Sequence, residues 1–384
     1  MICEEKKCTG CYACYNICPR NAINMTEDIY GNIFPKIDEK KCIKCNLCKK
    51  VCPQLKKNNA EIPQKIYAMY SKNKEIRKEA ASGGIATTLY KHILNQKGVG
   101  YGVNNYFLNE KITFSRIETE EDIKKVIGSK YVHAYIEDTF KKIKKDLNDD
   151  KRVVFIGTPC QVAGLKSYLN NINSEKLITV DIICHGVPSQ KLLKEDFSYN
   201  GVGVEKIKKI KFRTINGYEL VLFGKKNEKI LSKKYSDDYY FINFLRGNIY
   251  RECCYNCKYA TKARVSDITI GDFWGLNKNS KIYDDESKGI SLVMINTQKG
   301  KDIINEIKEY TDFEERDIEE ALNGNKQLRK PSIMTKQFLI YRKKYPLIGF
   351  EKTMKKMQSF RDVIRKNKVI YRLYKIYTKI MKKK

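Results

Sequence analysis

No stretch of the 384-residue chain approaches the roughly 18 uncharged apolar residues a membrane-spanning helix needs, so none is expected. The N-terminus, Met1-Ile2-Cys3-Glu4-Glu5-Lys6-Lys7, lacks the apolar core of a secretory signal, which points to the cytoplasm. No Gly-x-Gly-x-x-Gly follows an apolar strand, so a Rossmann dinucleotide site is not supported. Carboxylates are nearly absent from the C-terminal end. Positions 325–384 hold 20 Lys/Arg against Glu351 and Asp362, and so carry +18 of the formal +30. The first 324 residues carry only +12, so a body built for nucleic acid is not suggested, and no nucleic-acid partner is expected.

Cysteine, by contrast, is plentiful and unevenly placed: eight of the 14 lie within residues 8–52. A disulfide framework belongs to short secreted chains, whereas this spacing is that of metal ligands. Cys8-x2-Cys11-x2-Cys14-x3-Cys18-Pro19 recurs 34 residues later as Cys42-x2-Cys45-x2-Cys48-x3-Cys52-Pro53. Three cysteines at i, i+3 and i+6 wrap three corners of a cuboidal cluster, and the fourth, before proline, ligates the other cluster. The repeat therefore predicts two [4Fe–4S] clusters with crossed ligands. One takes Cys8, Cys11, Cys14 and Cys52; the other takes Cys42, Cys45, Cys48 and Cys18. Zinc competes for a single Cys-x-x-Cys but not for two complete copies. Cys3 falls outside the pattern and reads as a bystander. A module this small buries little core, so its folding should depend on its clusters.

Beyond a polar linker near 56–61 the pattern becomes α/β. Strands are predicted at 66–69, 152–156, 177–183, 207–213, 219–223, 267–270 and 291–296, with helices at 78–96, 161–169 and from Gln190. Cys160 and Cys184 each follow a buried strand, where ligands gather in open sheets. With the pair Cys254-x2-Cys257 they could supply a further cubane or a tetrahedral zinc site, or be ordinary core residues. Ser82-Gly83-Gly84, near a helix start, offers backbone N–H groups to a phosphate, or is simply a helix N-terminus. Gly128-Ser129-Lys130-Tyr131 adds a hydroxyl, a cation and a ring. His185 is a candidate proton relay, or shapes its turn by a hydrogen bond. Asp267 and Asp272 read as structural, capping turns or pairing with Arg264, and Trp274 as a core residue or a surface for a cofactor.

Residues from about 66 to 300 resemble the beta subunits of coenzyme F420 hydrogenases and dehydrogenases. The motifs that carry this are Ser82-Gly83-Gly84, Gly128-Ser129-Lys130-Tyr131-Val132, Gly157-Thr158-Pro159-Cys160-Gln161, Cys184-His185-Gly186-Val187-Pro188-Ser189, Arg251-x2-Cys254-x2-Cys257 and 266–275, ending Gly271-Asp272-Phe273-Trp274-Gly275. The resemblance implies FAD, held by Ser82, Gly83, Gly84, Gly128, Ser129, Lys130, Tyr131 and Thr158. It implies a third [4Fe–4S] cluster on Cys160, Cys184, Cys254 and Cys257, with Cys253 as the substitute if the register slips by one. It also implies hydride exchange with a small molecule such as coenzyme F420 or a biosynthetic intermediate. The alternative is a non-catalytic electron-transfer subunit feeding a partner enzyme. Many relatives have Gln-Ser where this chain has His133-Ala134.

The resulting fold class is a multidomain α+β and α/β chain. A bacterial-type ferredoxin fold (1–56) precedes a mixed α/β flavin- and cluster-binding domain in two parts (62–145 and 146–300). A helical extension (301–350) and a basic amphipathic tail (351–384) follow. In the tail, apolar residues from Met354 to Met381 fall at helical spacing, with Lys and Arg on the other faces. The expected partners are a redox protein or a small electron donor or acceptor. For the tail the options are an anionic membrane surface at the inner face, an acidic protein, or solvent.

Overall fold

The apolar runs Val153–Gly157 and Leu177–Ile182 are buried on both faces, the burial a central parallel strand requires. They form the middle of the largest of three sheets in a computed structural model describing residues 2–57, 59–107, 109–170, 172, 174–283, 289–359 and 362. In chain order the strands are β1 (Ile23–Glu27), β2 (Ile33–Ile37), β3 (Lys65–Ser71), β4 (Val99–Val103), β5 (Phe114–Ile117), β6 (Val153–Gly157), β7 (Leu177–Ile182), β8 (Ile207–Thr214), β9 (Gly217–Gly224), β10 (Lys229–Lys234), β11 (Ile268–Asp272), β12 (Ser291–Ile295) and β13 (Thr311–Arg316).

The main sheet has the order β13-β3-β12-β11-β7-β6-β4-β5. Strands β11, β7, β6 and β4 are parallel, and antiparallel strands flank them on both sides. The segment 301–350, predicted to be helical, contributes edge strand β13 beside β3. The 78–96 helix is two helices, Lys74–Glu79 and Ile85–Asn95. Ser82-Gly83-Gly84 lies between them, and Gly84 adopts φ +85°, which breaks the first helix from the second. A separate antiparallel sheet, β10-β9-β8, stands beside the main one.

The ferredoxin module, whose hairpin β1–β2 pairs Ile23 with Ile37, is built into the body rather than tethered to it. Cys11, Tyr12, Ala13, Ile33 and Val51 share one apolar core with β6, β8 and the helix Pro159–Leu169. The hairpin turn is tied by Asp28, which accepts from the N–H groups of Tyr30 (2.9 Å) and Asn32 (2.7 Å). Gly31 in that turn has φ +77°, and a Cβ there would lie 2.3 Å from Cβ of Lys191. The helix Lys336–Lys356 closes over the same turn. Its Arg342 carbonyl accepts from the Tyr30 hydroxyl at 2.7 Å, and Tyr345 stacks on Tyr30 at 5.8 Å. This helix crosses the predicted 350/351 boundary, kinking at Gly349, and Met354 and Met357, expected on an amphipathic tail, are buried against the body. Residues 360–361 and 363–384, most of the predicted basic tail, lie outside the described residues.

Two buried carboxylates meet under this helix. Asp238 accepts from the Phe241 N–H at 2.8 Å and caps the helix Tyr239–Leu245; Asp196 accepts from the Tyr240 N–H at 3.2 Å. Burial, and for Asp196 the neighbouring Asp238, hold both above the usual carboxylate range. A raised folded-state pKa means the folded chain binds more protons than the unfolded one, so stability is lost as pH rises above about 4. Asp238→Asn keeps an N-cap oxygen and removes one of the charges. It should raise the melting temperature more at pH 8 than at pH 5.5, by about 1 kcal/mol or more of differential stability. Equal shifts at the two pH values would contradict a raised carboxyl pKa at this pair.

Candidate redox centre

Three parallel strands end at one cleft of about 390 Å³. Its wall carries Gly157 and Thr158 after β6, Ile182 to Cys184 after β7, and Gly271 and Asp272 at the end of β11. Ligands collect at such carboxyl ends because the backbone there is free of the next element. The first turn of the helix Ile85–Asn95 opens onto the same cleft, and Gly84 before it carries no side-chain cap. Its N–H groups therefore face the cleft, where an anion would complement them.

The loop residues predicted to hold a flavin are gathered here, with corrections. Ser82, Gly84, Gly128, Ser129, Lys130, Tyr131 and Thr158 line the cleft. Gly83 does not: its N–H donates to Ser291 Oγ at 3.0 Å, and a Cβ would lie 2.4 Å from the Met69 carbonyl. That glycine serves the approach to β3 and β12. The Lys130 ammonium donates to the Gly128 carbonyl at 2.8 Å and also to that of Val126, so it caps the helix Glu120–Val126. Burial, then repulsion from Lys209, brings its pKa down to about 7. The Tyr131 ring stacks on Phe244 at 4.7 Å, and the Thr158 hydroxyl faces Cys160 Sγ at 3.2 Å. On the opposite wall Arg213 is fixed by Asp272 at 2.8 Å and lies over Tyr218 at 4.9 Å. Asp272 therefore does not pair with Arg264, which bonds the buried Asp181 at 2.7 Å. Asp267 is held by Thr179 N (2.8 Å) and Oγ1 (2.6 Å). Trp274 is 44% exposed on the cleft wall rather than in the core.

A second cavity, about 550 Å³, is lined by Cys160, Cys184, Cys254 and Cys257, brought from three separate parts of the chain. Cys253 lines it as well. It shares Thr158, Cys184, His185 and His133 with the first cleft. His185 lies exposed where the two meet, with Nδ1 3.1 Å from Gln327 Nε2, and its carbonyl accepts from Ser332 at 2.6 Å. Burial drives the Cys184 thiol up to about 12 and raises that of Cys160 as well. Arg251, Lys258 and Arg264 line the same space and supply positive charge.

Sequence reasoning assigned no role to Arg251, although it opens the Arg-x2-Cys-x2-Cys motif. Its guanidinium is buried; Nε donates to the Cys8 carbonyl and Nη2 to that of Ile33, both at 2.8 Å, and the group lies over Phe34 at 4.3 Å. His133, noticed only as a departure from relatives, is also buried, and burial followed by Arg251 lowers its pKa to about 3. His133 Nε2, Arg251 Nη1 and Thr9 Oγ1 are buried without a hydrogen-bond partner, and all three residues line the second cavity.

Thr9 and Gln54 connect this cavity to a third, which Cys8, Cys11, Cys14 and Cys52 line together. Cys3 lines it too, so this residue sits at the site rather than apart from it. Cys18, Cys42, Cys45 and Cys48 line a fourth cavity. Each fourth cysteine thus reaches across to the other loop. Among the described residues no three His, Cys, Asp or Glu side chains are gathered as a single metal ion would need. The thiols are set around volumes instead.

Four cysteine-lined or strand-end cavities in file, two of them built on a repeated Cys-Pro motif, define an iron–sulfur protein. A 4Fe-4S dicluster domain model matches residues 7–55, and a second such model matches 34–86. The chain belongs to the coenzyme F420 hydrogenase/dehydrogenase beta subunit family: the model of its N-terminal part matches residues 66–139 and that of its C terminus 150–321. No curated protein matches the chain. Among solved structures it is similar to a chain of the F420-reducing [NiFe] hydrogenase complex from Methanosarcina barkeri, studied by xenon derivatization. The identity is 20% and the TM-score 0.48, over 77% of this chain and 92% of that one.

Proposed function

We propose that this chain is a flavin- and iron–sulfur-dependent oxidoreductase that exchanges hydride with a small molecule and passes the electrons singly along three [4Fe–4S] clusters. The observation that carries the proposal is the shared wall between the strand-end cleft and the cavity of Cys160, Cys184, Cys254 and Cys257. The residues present suit these groups. Four thiols and a cationic lining match an anionic cluster, and the three unpartnered buried polar atoms are donors or acceptors that lack anything to bond. In the cleft, the N-terminus of Ile85–Asn95 and the loop at Gly128 to Tyr131 suit the phosphates of FAD.

A bound flavin supplies the interchange between hydride and single-electron chemistry, and the clusters supply single-electron steps. The chain's own residues position and insulate. Arg213, braced by Asp272 and Tyr218, places a fixed cation at the cleft wall. His133, uncharged near neutral pH, separates the two cavities without adding charge. Trp274 and His185 stand at the open side, where a small partner such as coenzyme F420 or a biosynthetic intermediate would enter. The cubane ligands are Cys160, Cys184, Cys254 and Cys257, and FAD contacts come from Ser82, Gly84, Gly128, Ser129, Lys130, Tyr131 and Thr158.

Anaerobic purification should yield about twelve irons and one flavin per chain. Cys257→Ser should lower iron by about four while the remaining clusters stay reducible. Wild-type protein with only about eight irons, or without releasable flavin, would refute the proposal. Rapid flavin reduction by a lone small donor separates an enzyme from an electron-transfer subunit.

A further inference from the structure

The four cavities do not reach solvent equally. None of the cysteines in the cavity of Cys160, Cys184, Cys254 and Cys257, or in that of Cys8, Cys11, Cys14 and Cys52, is exposed; Cys11 Cβ, for instance, sits 3.0 Å from where a Cβ on Gly164 would stand. The cavity of Cys18, Cys42, Cys45 and Cys48 is at the surface. Cys45 is exposed, as are Pro19, Arg20, Ile43 and Asn46, all of which line that cavity. Ile43 is 60% exposed.

The surroundings of this opening are one-sided in charge. Residues 18–21 and 38–50 contain Arg20, Lys40, Lys41, Lys44, Lys49 and Lys50 against Asp38 and Glu39, and all six cations are exposed. Lys41 pairs with Asp38 at 3.8 Å. Among the described residues no ion pair occupies Arg20, Lys40, Lys44, Lys49 or Lys50. The opposite arrangement would be expected if this end of the module packed on another part of the chain.

We propose that this rim is the docking face for an acidic one-electron carrier protein, such as an acidic ferredoxin, with Ile43 at its apolar centre and Arg20, Lys44, Lys49 and Lys50 around it. The inference rests on the cluster assignment of Cys18, Cys42, Cys45 and Cys48 made above. A lipid surface or a nucleic acid would satisfy the charge but would offer no redox centre opposite Cys45. Electron-carrier encounters use small, weakly held interfaces, and a single charged rim around one apolar contact fits that class. Complementary charge raises the encounter rate and is weakened by salt. The exchange moves one electron between the carrier's centre and this site; no bond forms or breaks and no proton is needed.

The test uses the full chain, purified anaerobically with its iron, and an acidic ferredoxin reduced beforehand. Stopped-flow absorbance follows bleaching of the chain's clusters. The rate should fall about tenfold or more between low salt and roughly 0.3 M salt. The triple variant Lys44→Glu, Lys49→Glu, Lys50→Glu should lose about tenfold or more at low salt, while dithionite at high salt bleaches it to the same extent as wild type. A basic haem protein used as oxidant should show the reverse salt dependence. A wild-type rate indifferent to salt, or a variant as fast as wild type, overturns the docking face and leaves the cluster assignment standing. A wild-type chain that dithionite does not bleach overturns the cluster assignment beneath it.

Discussion

Cys18→Ala should strip protection from Cys42, Cys45 and Cys48, more than 20 residues ahead in sequence, and leave Cys8, Cys11 and Cys52 shielded. The reason is the crossing: Cys18 belongs to the first loop but lines the cavity of the second, and Cys52 does the converse. A cubane with one thiolate missing is labile, so iron should fall by about four per chain. Alkylation under anaerobic conditions, mapped by mass spectrometry, reads the pattern directly. Cys14→Ala should give the complementary map, exposing Cys8, Cys11 and Cys52. If Cys18→Ala instead exposed its sequence neighbours Cys8, Cys11 and Cys14, the two loops would each hold their own cluster and the crossed assignment would fall. Loss of protection at all seven remaining cysteines would be expected only if the module unfolds. The Cys14→Ala map and circular dichroism distinguish that case.

Arg251→Met should produce a large loss of stability. The side chain is fully inside the protein and bonds two carbonyls of the ferredoxin module, those of Cys8 and Ile33. Methionine fills similar volume but leaves both acceptors buried and unsatisfied, at about 1–3 kcal/mol each, with the stacking on Phe34 lost in addition. The total, about 3–5 kcal/mol, should appear as a lower melting temperature. It should also appear as faster proteolysis in the 56–64 connection, because that contact is one of those that hold module and body together. Arg251→Lys should recover little, since a single ammonium cannot serve two carbonyls in the fixed geometry of the fork. An unaltered melting temperature in the methionine variant would show that the module docks through its apolar core alone.

The difference between these residues explains what the sequence disclosed. The ferredoxin cysteines follow local spacing, so the gathering of Cys52 with Cys8, Cys11 and Cys14, and of Cys18 with Cys42, Cys45 and Cys48, around two cavities was legible from a linear pattern. Strands β6, β7 and β11 were equally plain, because burial on both faces favours a dense run of β-branched residues. Edge strands β5, β10 and β13 went unread: half-exposed and rich in charge, they resemble loops or helix until a neighbouring strand is in place. Gly83 looked like a phosphate contact because glycine permits close approach to anything, and only the position of Met69 and Ser291 shows what approaches it. Cys3 and Arg251 were passed over for the same reason. Each acts on residues far away in sequence, and no periodicity marks such a pairing. His133 had one available signal, a buried ring where relatives carry an amide.

The clasp between Tyr30 and the helix Lys336–Lys356 joins residues 312 positions apart. Synthesis runs from the N-terminus, so the hairpin is made long before the helix that covers it. The strip carrying Gln327 and Ser332, which folds over His185 beside the second cavity, also arrives late. Until then that cavity lies open on the growing chain. The topology therefore fixes an order of assembly: the hairpin and the thiols of the second cavity are made before the helix and the strip that cover them.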